Sequence, residues 1–130
     1  MITLSGFKYE FHTVTTEDDY LLGVHRIISP YIKDRRNLKP FLFVHGLMVN
    51  AACWVVNAEG WLDGNGVYYE SNGEEPPIKV NCDPKMDDGN VQTQGFALAA
   101  CGYDVWLLNT RGTKYSKRHH HLDVNGNLSN

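Results

Sequence analysis

The sequence predicts an α/β layered fold built from a β-hairpin, two further strands and intervening helices. Three observations carry this reading. Residues 9–27 alternate apolar and polar on either side of an acidic turn, Phe41–Val44 is a continuous apolar run, and a small-residue segment closed by glycine, Gln94–Gly102, leads straight into a second apolar run at Tyr103–Leu108. Strands followed by helix and strand in that order open an α/β layered fold.

The elements follow one another along the chain. Tyr9–Val14 and Tyr20–Ile27 have strand alternation, with Thr16–Asp19 as the turn between them. Ser29-Pro30 ends the second strand, because proline cannot donate to a ladder. Lys33–Asn37 is a charged loop. Phe41–Val44 has too few polar positions to be half exposed, and its pattern predicts a strand covered on both faces. Ala51–Asn57 reads as a short helix after a tight His-Gly turn. The stretch from about 60 to 92 is rich in glycine, proline and acidic residues. It reads as a long surface insertion with some order around Val67–Tyr69, because such composition buries too little apolar surface to offset its ordering entropy. Gln94–Cys101 is a helix with Gly102 as the residue just past its end. Tyr103–Leu108 is the fourth strand, Asn109–Gly112 a polar turn, and the tail from 115 to 130 has no apolar periodicity and reads as frayed.

At 130 residues the chain is at most one domain, and its 42% hydrophobic and 21% charged content is that of an ordinary globular protein. A formal net charge of −3 lacks the basic balance that nucleic-acid binding requires. No apolar run approaches the roughly 18 residues of a membrane span. Met1–Gly6 has neither the basic start nor the apolar centre of a signal peptide, so the chain reads as cytosolic or as missing its natural start. Cys53 and Cys101 lie in apolar helical patterns and read as small core residues, while a disulfide from Cys82 to either of them stays open.

Four segments resemble the N-terminal part of the acid lipases, the gastric and lysosomal type of neutral-lipid hydrolase with an α/β-hydrolase fold. Tyr9–Tyr20 resembles the family's opening hairpin, with Asp19 where a turn glycine is usual, and His25-Arg26-Ile27 continues it. Phe43–Met48 with Trp54–Asn57 is similar to the HGLL…W…N signature, and Ala99–Gly112 to the ADAGYDVWLGNxRG string. Leu108 stands where that string has glycine, and the 60–92 stretch is longer than the family's equivalent. Asp tolerates the left-handed conformation better than most residues, so the turn at Asp19 can survive. The resemblance implies the first part of an α/β-hydrolase sheet, incomplete within these residues.

It also implies a site. The loop after the Phe41–Val44 strand would supply one oxyanion-hole donor, the backbone N–H of Leu47, with Gly46 allowing close backbone approach and His45 supporting the loop. For His45, a buried ring that holds the loop competes with a role as catalytic base. The five serines are Ser5, Ser29, Ser71, Ser116 and Ser129, and none sits in a G-x-S-x-G elbow. No catalytic nucleophile or triad is therefore expected among these residues. His119-His120-His121, beside Lys114, Lys117 and Arg118, reads as a solvated basic stretch rather than a metal site. Trp54, Trp61 and Trp106 read as packing residues before lipid contacts, and Asn127-Leu128-Ser129 is a glycosylation sequon with meaning only in a secreted chain.

The expectation is thus an N-terminal piece of a lipase-like carboxylic ester hydrolase, inactive by itself, with no cofactor and no metal. The whole enzyme would take a neutral lipid ester and would be secreted or lysosomal if the resemblance extends to it. The alternative is a non-catalytic binding or interaction module, since an incomplete sheet exposes an edge that can pair with another chain.

Overall fold

The computed structural model describes residues 1–71, 73, 75–83 and 91–123. The hairpin forms from β1 (Lys8–Thr15) and β2 (Tyr20–Ile28), antiparallel from Lys8 opposite Ile28 to Thr15 opposite Leu21. Its turn is closed by side chains. Thr16 Oγ1 accepts the Tyr20 N–H at 3.0 Å and donates to Asp18 Oδ1 at 2.6 Å, while Asp19 takes φ 65°, the left-handed conformation its position requires.

The main sheet continues through β3 (Lys39–Val44) and, after a long crossover, β7 (Tyr103–Leu108). Strand order is β1-β2-β7-β3, with β7 antiparallel to β2 and parallel to β3. The crossover holds a one-turn 3-10 helix at Ala51–Trp54, a small second sheet and the helix α1 (Gln94–Ala100). The 3-10 helix is shorter than the expected Ala51–Asn57 helix, and Asn50 starts it by accepting the Ala52 N–H on its side-chain oxygen at 2.9 Å. Gly102 ends α1 with φ 89°.

Alternation along the strands divides the sheet into a covered and an open face. Ile27, Phe43, Val105 and Leu107 point to the covered side, where they pack with Phe7, Phe96, Ala99 and Tyr68 in one core. Leu42 and Val44 point the other way and are 57% and 49% exposed. The expectation that Phe41–Val44 is covered on both faces is therefore corrected: β3 is an edge strand with one face packed. On the open face Arg26 forks onto Asp104 at 2.7 and 3.0 Å, reaches Glu10 at 3.1 Å and lies over the Trp106 ring.

The described part of the 60–92 stretch holds regular structure. Residues β4 (Glu59–Leu62), β5 (Tyr68–Ser71) and β6 (Ile78–Lys79) form an antiparallel three-stranded sheet. Tyr68 and Glu70 alternate inward and are fully buried, while Tyr69 stacks on Trp61 at the outer side. Glu70 accepts the N–H groups of Gln92 at 2.6 Å and Thr93 at 2.9 Å and the Thr93 hydroxyl, which ties the second sheet to the start of α1. The Tyr68 hydroxyl meets Thr93 Oγ1 at 2.7 Å, and burial above all pushes its pKa up to about 12. Gly60 has to be glycine here, because a Cβ would run into the Tyr68 ring. A disulfide joins Cys82 to Cys101 with Cα atoms 5.2 Å apart, so Cys101, which also packs against the core, is a cross-link just past α1, and Cys53 is free.

The tail also departs from the frayed reading up to residue 123. Ser116 is fully buried, and β8 (Arg118–His119) pairs with the start of β2. The sequon at 127–129 lies outside the described residues.

Candidate active-site loop

The loops that leave the C-terminal ends of β3 and β7 lie side by side because the two strands run parallel with Val44 opposite Leu108. Between them is a crevice of about 480 Å3, lined by His45–Asn50 and Thr110–Lys114. Crevices outside the carboxyl ends of strands are where open α/β sheets bind ligands.

His45 is buried to 8% exposure and both ring nitrogens are engaged. Nε2 accepts the Thr110 N–H at 3.1 Å, which places the ring proton on Nδ1, and Nδ1–H donates to the Gly46 carbonyl at 2.8 Å. With Nε2 spent on a backbone donor, the ring holds the loop and has no free lone pair for a base. His45 and Gly46 thus shape the first part of the loop, and Leu47 and Met48 stand out from it at 93% and 95% exposure. Met48 takes φ 64°, a left-handed turn that swings the chain back toward the 3-10 helix. The Leu47 N–H makes no hydrogen bond among the described residues.

The far end of the loop is anchored by a residue that sequence reasoning assigned only to a polar turn. Asn109 is fully buried. Its Oδ1 accepts the Ala51 N–H at 3.0 Å and its Nδ2 donates to the Gly23 carbonyl at 3.1 Å. Ser116 completes the knot, donating to the Asn109 carbonyl at 2.7 Å and accepting the Gly23 N–H at 2.9 Å. One side chain therefore joins β2, the end of β7 and the start of the 3-10 helix. The signal available in the sequence was a lone amide directly after an apolar strand, which is where such a knot belongs.

The remaining polar candidates are spent on structure. Arg111 pairs with Asp18 at 2.6 Å and lies over Tyr20, fastening the β7 loop to the hairpin turn. His119 Nε2 donates to the Asp18 carbonyl at 2.9 Å, and its Nδ1 accepts the amides of His121 and Leu122. No group of three or more metal-ligating side chains occurs among the described residues. Trp54 packs on Phe43 at 4.6 Å, Trp106 lies under Arg26, and Trp61 is 41% exposed against Tyr69. No helix among the described residues is long and apolar enough to cross a membrane.

A hairpin feeding the strand order β1-β2-β7-β3, with a glycine-containing loop clamped at the strand ends, is the opening of an α/β-hydrolase. Residues 1–58 match the family model of the partial alpha/beta-hydrolase lipase region. The chain is 36% identical over 119 residues to a probable lipase of Schizosaccharomyces pombe, covering 89% of this chain and 19% of that protein. It is 34% identical over 122 residues to the gastric triacylglycerol lipase of Mus musculus (91% and 22%) and 30% identical over 127 residues to lipase member J of Homo sapiens (95% and 26%). The chain belongs to the acid lipase family and carries the N-terminal portion of its α/β-hydrolase fold. It spans about a fifth to a quarter of the length of these relatives.

Proposed function

We propose that this chain supplies the oxyanion loop of a serine ester hydrolase that acts on neutral lipids such as triacylglycerols or steryl esters, and that the 130 residues alone turn over no ester. The observation that carries the reading is the free Leu47 N–H on a loop clamped at both ends, by His45 to Thr110 and by Ala51 to Asn109. Attack on an ester carbonyl generates an alkoxide, and each preorganised N–H donor aimed at it lowers the barrier by about 3–4 kcal/mol. A clamped loop holds its donor in place before the charge develops.

Inactivity of the chain alone rests on its serines. Ser116 spends its hydroxyl on Asn109 and Gly23, and Ser5 and Ser29 are buried at 8% and 2% exposure. Among the described residues no serine follows a strand into a helix as a nucleophile elbow does. Sequencing the native transcript across both ends of the reading frame tests the whole-enzyme reading. Continuation in frame into a G-x-S-x-G with an Asp and a His beyond supports it, and a stop directly after Asn130 contradicts it.

The open face favours a second reading. Leu42 and Val44 on the edge strand β3 expose apolar surface that another chain could cover, as in a binding module without catalysis. A sharp melt of a stable monomer supports that module, and aggregation with a broad transition opposes it.

A further inference from the structure

The ring of His119 joins the hairpin turn to the segment that follows β8. Its backbone ends β8, opposite Tyr20 at the start of β2. The half-buried imidazole stands edge-on to the Tyr20 ring, with centroids 4.6 Å apart. Nε2 lies 2.9 Å from the Asp18 carbonyl oxygen of the turn. Nδ1 lies 3.0 and 3.1 Å from the amide nitrogens of His121 and Leu122. A carbonyl only accepts and an amide N–H only donates. These bonds therefore require one species, the neutral ring with its proton on Nε2 and a lone pair on Nδ1.

Protonation keeps one side of this arrangement and destroys the other. An imidazolium carries N–H on both nitrogens. The bond to the Asp18 carbonyl survives, but the new Nδ1–H points at two N–H donors, and the bonds to residues 121 and 122 are lost. Histidine changes charge between about pH 5 and 8, so the loss falls in that range. Neighbouring charges leave its direction unchanged. The Asp18 carboxylate, which would favour a charged ring, is already held by Arg111 at 2.6 Å and by the Thr16 hydroxyl at 2.6 Å. Arg111, which also lies over Tyr20, and the adjacent Arg118 carry the same sign as an imidazolium. Asp19 faces His121 at 3.6 Å, and that pair gains on acidification. Its partners are 76% and 46% exposed, however, and an exposed pair contributes little. His120 is fastened by its backbone amide to the Asp19 carbonyl at 3.1 Å, a bond that no ring titration touches.

We infer that His119 is a pH-sensitive latch. Its neutral ring ties the segment after β8, at residues 121 and 122, to the hairpin turn. Acidification releases that segment while β8, the Asp18–Arg111 pair and the sheet stay in place. The latch goes beyond the oxyanion reading and stands or falls separately, because it uses none of residues 45–50.

Backbone 15N relaxation on the isotopically labelled 130-residue chain, between pH 8 and pH 5, tests it. At pH 8 the amides of His121 and Leu122 should have order parameters near the ~0.85 of rigid backbone, and at pH 5 values below ~0.6. The loss should share its midpoint with the His119 ring shift, while Arg118 and His120 stay rigid. His119→Asn puts an amide oxygen near the position of Nδ1 and cannot titrate, so residues 121 and 122 should remain rigid at both pH values. His119→Phe removes the acceptor and should leave them mobile at both, with unchanged β1, β2 and β7 amide shifts as the check on folding. If that variant does not fold, the parent titration and His119→Asn decide the matter. His121→Gln removes the opposing pair with Asp19 and should keep the transition. The inference is overturned if residues 121 and 122 are equally ordered at pH 8 and pH 5, if they also loosen in acid in His119→Asn, or if the transition follows the His121 ring and vanishes in His121→Gln.

Discussion

The Thr110 amide donates to His45 Nε2 across the ends of two parallel strands, at 3.1 Å. This bond makes the first loop depend on the second. Replacing His45 with alanine leaves the Thr110 amide and the Gly46 carbonyl without their ring partner, at a cost of about 1–3 kcal/mol. The change should be local. Hydrogen exchange at residues 46–50 and 110–112 should accelerate while exchange in the β4–β5 pair stays as it was. Uniform acceleration throughout the chain would show that His45 serves the whole core and not the loop.

Asn109 should matter more than its place in a polar turn suggests. Asn109→Ala strips the partner from the Ala51 N–H and the Gly23 carbonyl in a fully buried position. A loss of about 3 kcal/mol in urea unfolding is expected. Asn109→Asp keeps the acceptor for Ala51 and should fold better than the alanine variant only if that bond dominates. A cost below about 0.5 kcal/mol for alanine, the range of a surface change, would refute the knot.

The difference between what the sequence showed and what the fold contains follows from how local each signal is. The hairpin was legible because alternation and turn chemistry lie within 21 residues, and Asp19 adopts the left-handed turn expected of it. The Tyr103–Leu108 strand and the glycine after α1 were legible for the same reason. The β4–β6 sheet was not, because its order depends on Glu70 accepting amides that lie 22 and 23 residues further on. An acidic residue in a glycine-rich stretch looks solvated until its donors are known. Burial of β3 was overread, since an apolar run says that a strand can be covered, while its place at the edge leaves Leu42 and Val44 open. At the site, His45, Gly46 and Leu47 came from a contiguous motif, whereas Asn109 acts on Gly23 and Ala51, 86 and 58 residues away.

Glu70 gives a direct check of the second sheet. Glu70→Ala leaves the buried Thr93 amide and the part-buried Gln92 amide without their acceptor and should cost about 2–3 kcal/mol. Glu70→Gln puts an amide donor against those amides and should recover only part of it. Fluorescence of Trp61, stacked on Tyr69, should report loss of this sheet, and an unchanged spectrum and midpoint in the alanine variant would contradict the account.

His25 and a set of carboxylates that includes Asp104 shape the acid side of the stability profile. Burial holds the His25 pKa below its ordinary 6.5, so the unfolded chain binds more protons than the folded one near that pH, and stability present above 6.5 is lost as pH falls below it. At Asp104 burial raises the pKa, but the hydrogen bonds from Arg26 and Trp106 and nearby guanidinium charge outweigh it and leave the carboxyl below its ordinary 3.8. Its contribution is present above 3.8 and disappears as pH falls through the lowered value. Chemical denaturation from pH 8 to 3 should therefore show two separate declines. His25→Phe should remove the first and Asp104→Asn should make the second shallower without abolishing it, because Glu10, Asp18, Asp34 and Asp63 are also held below their ordinary values. Survival of the upper decline in His25→Phe would assign it to another group.

The most direct test of the central claim is ester hydrolysis by the purified 130-residue chain, read alongside covalent labelling by a fluorophosphonate. The proposed reading, an oxyanion loop without a nucleophile elbow, predicts background turnover of a p-nitrophenyl ester and no labelled serine. Turnover that the fluorophosphonate abolishes, with one serine stoichiometrically labelled, would contradict it.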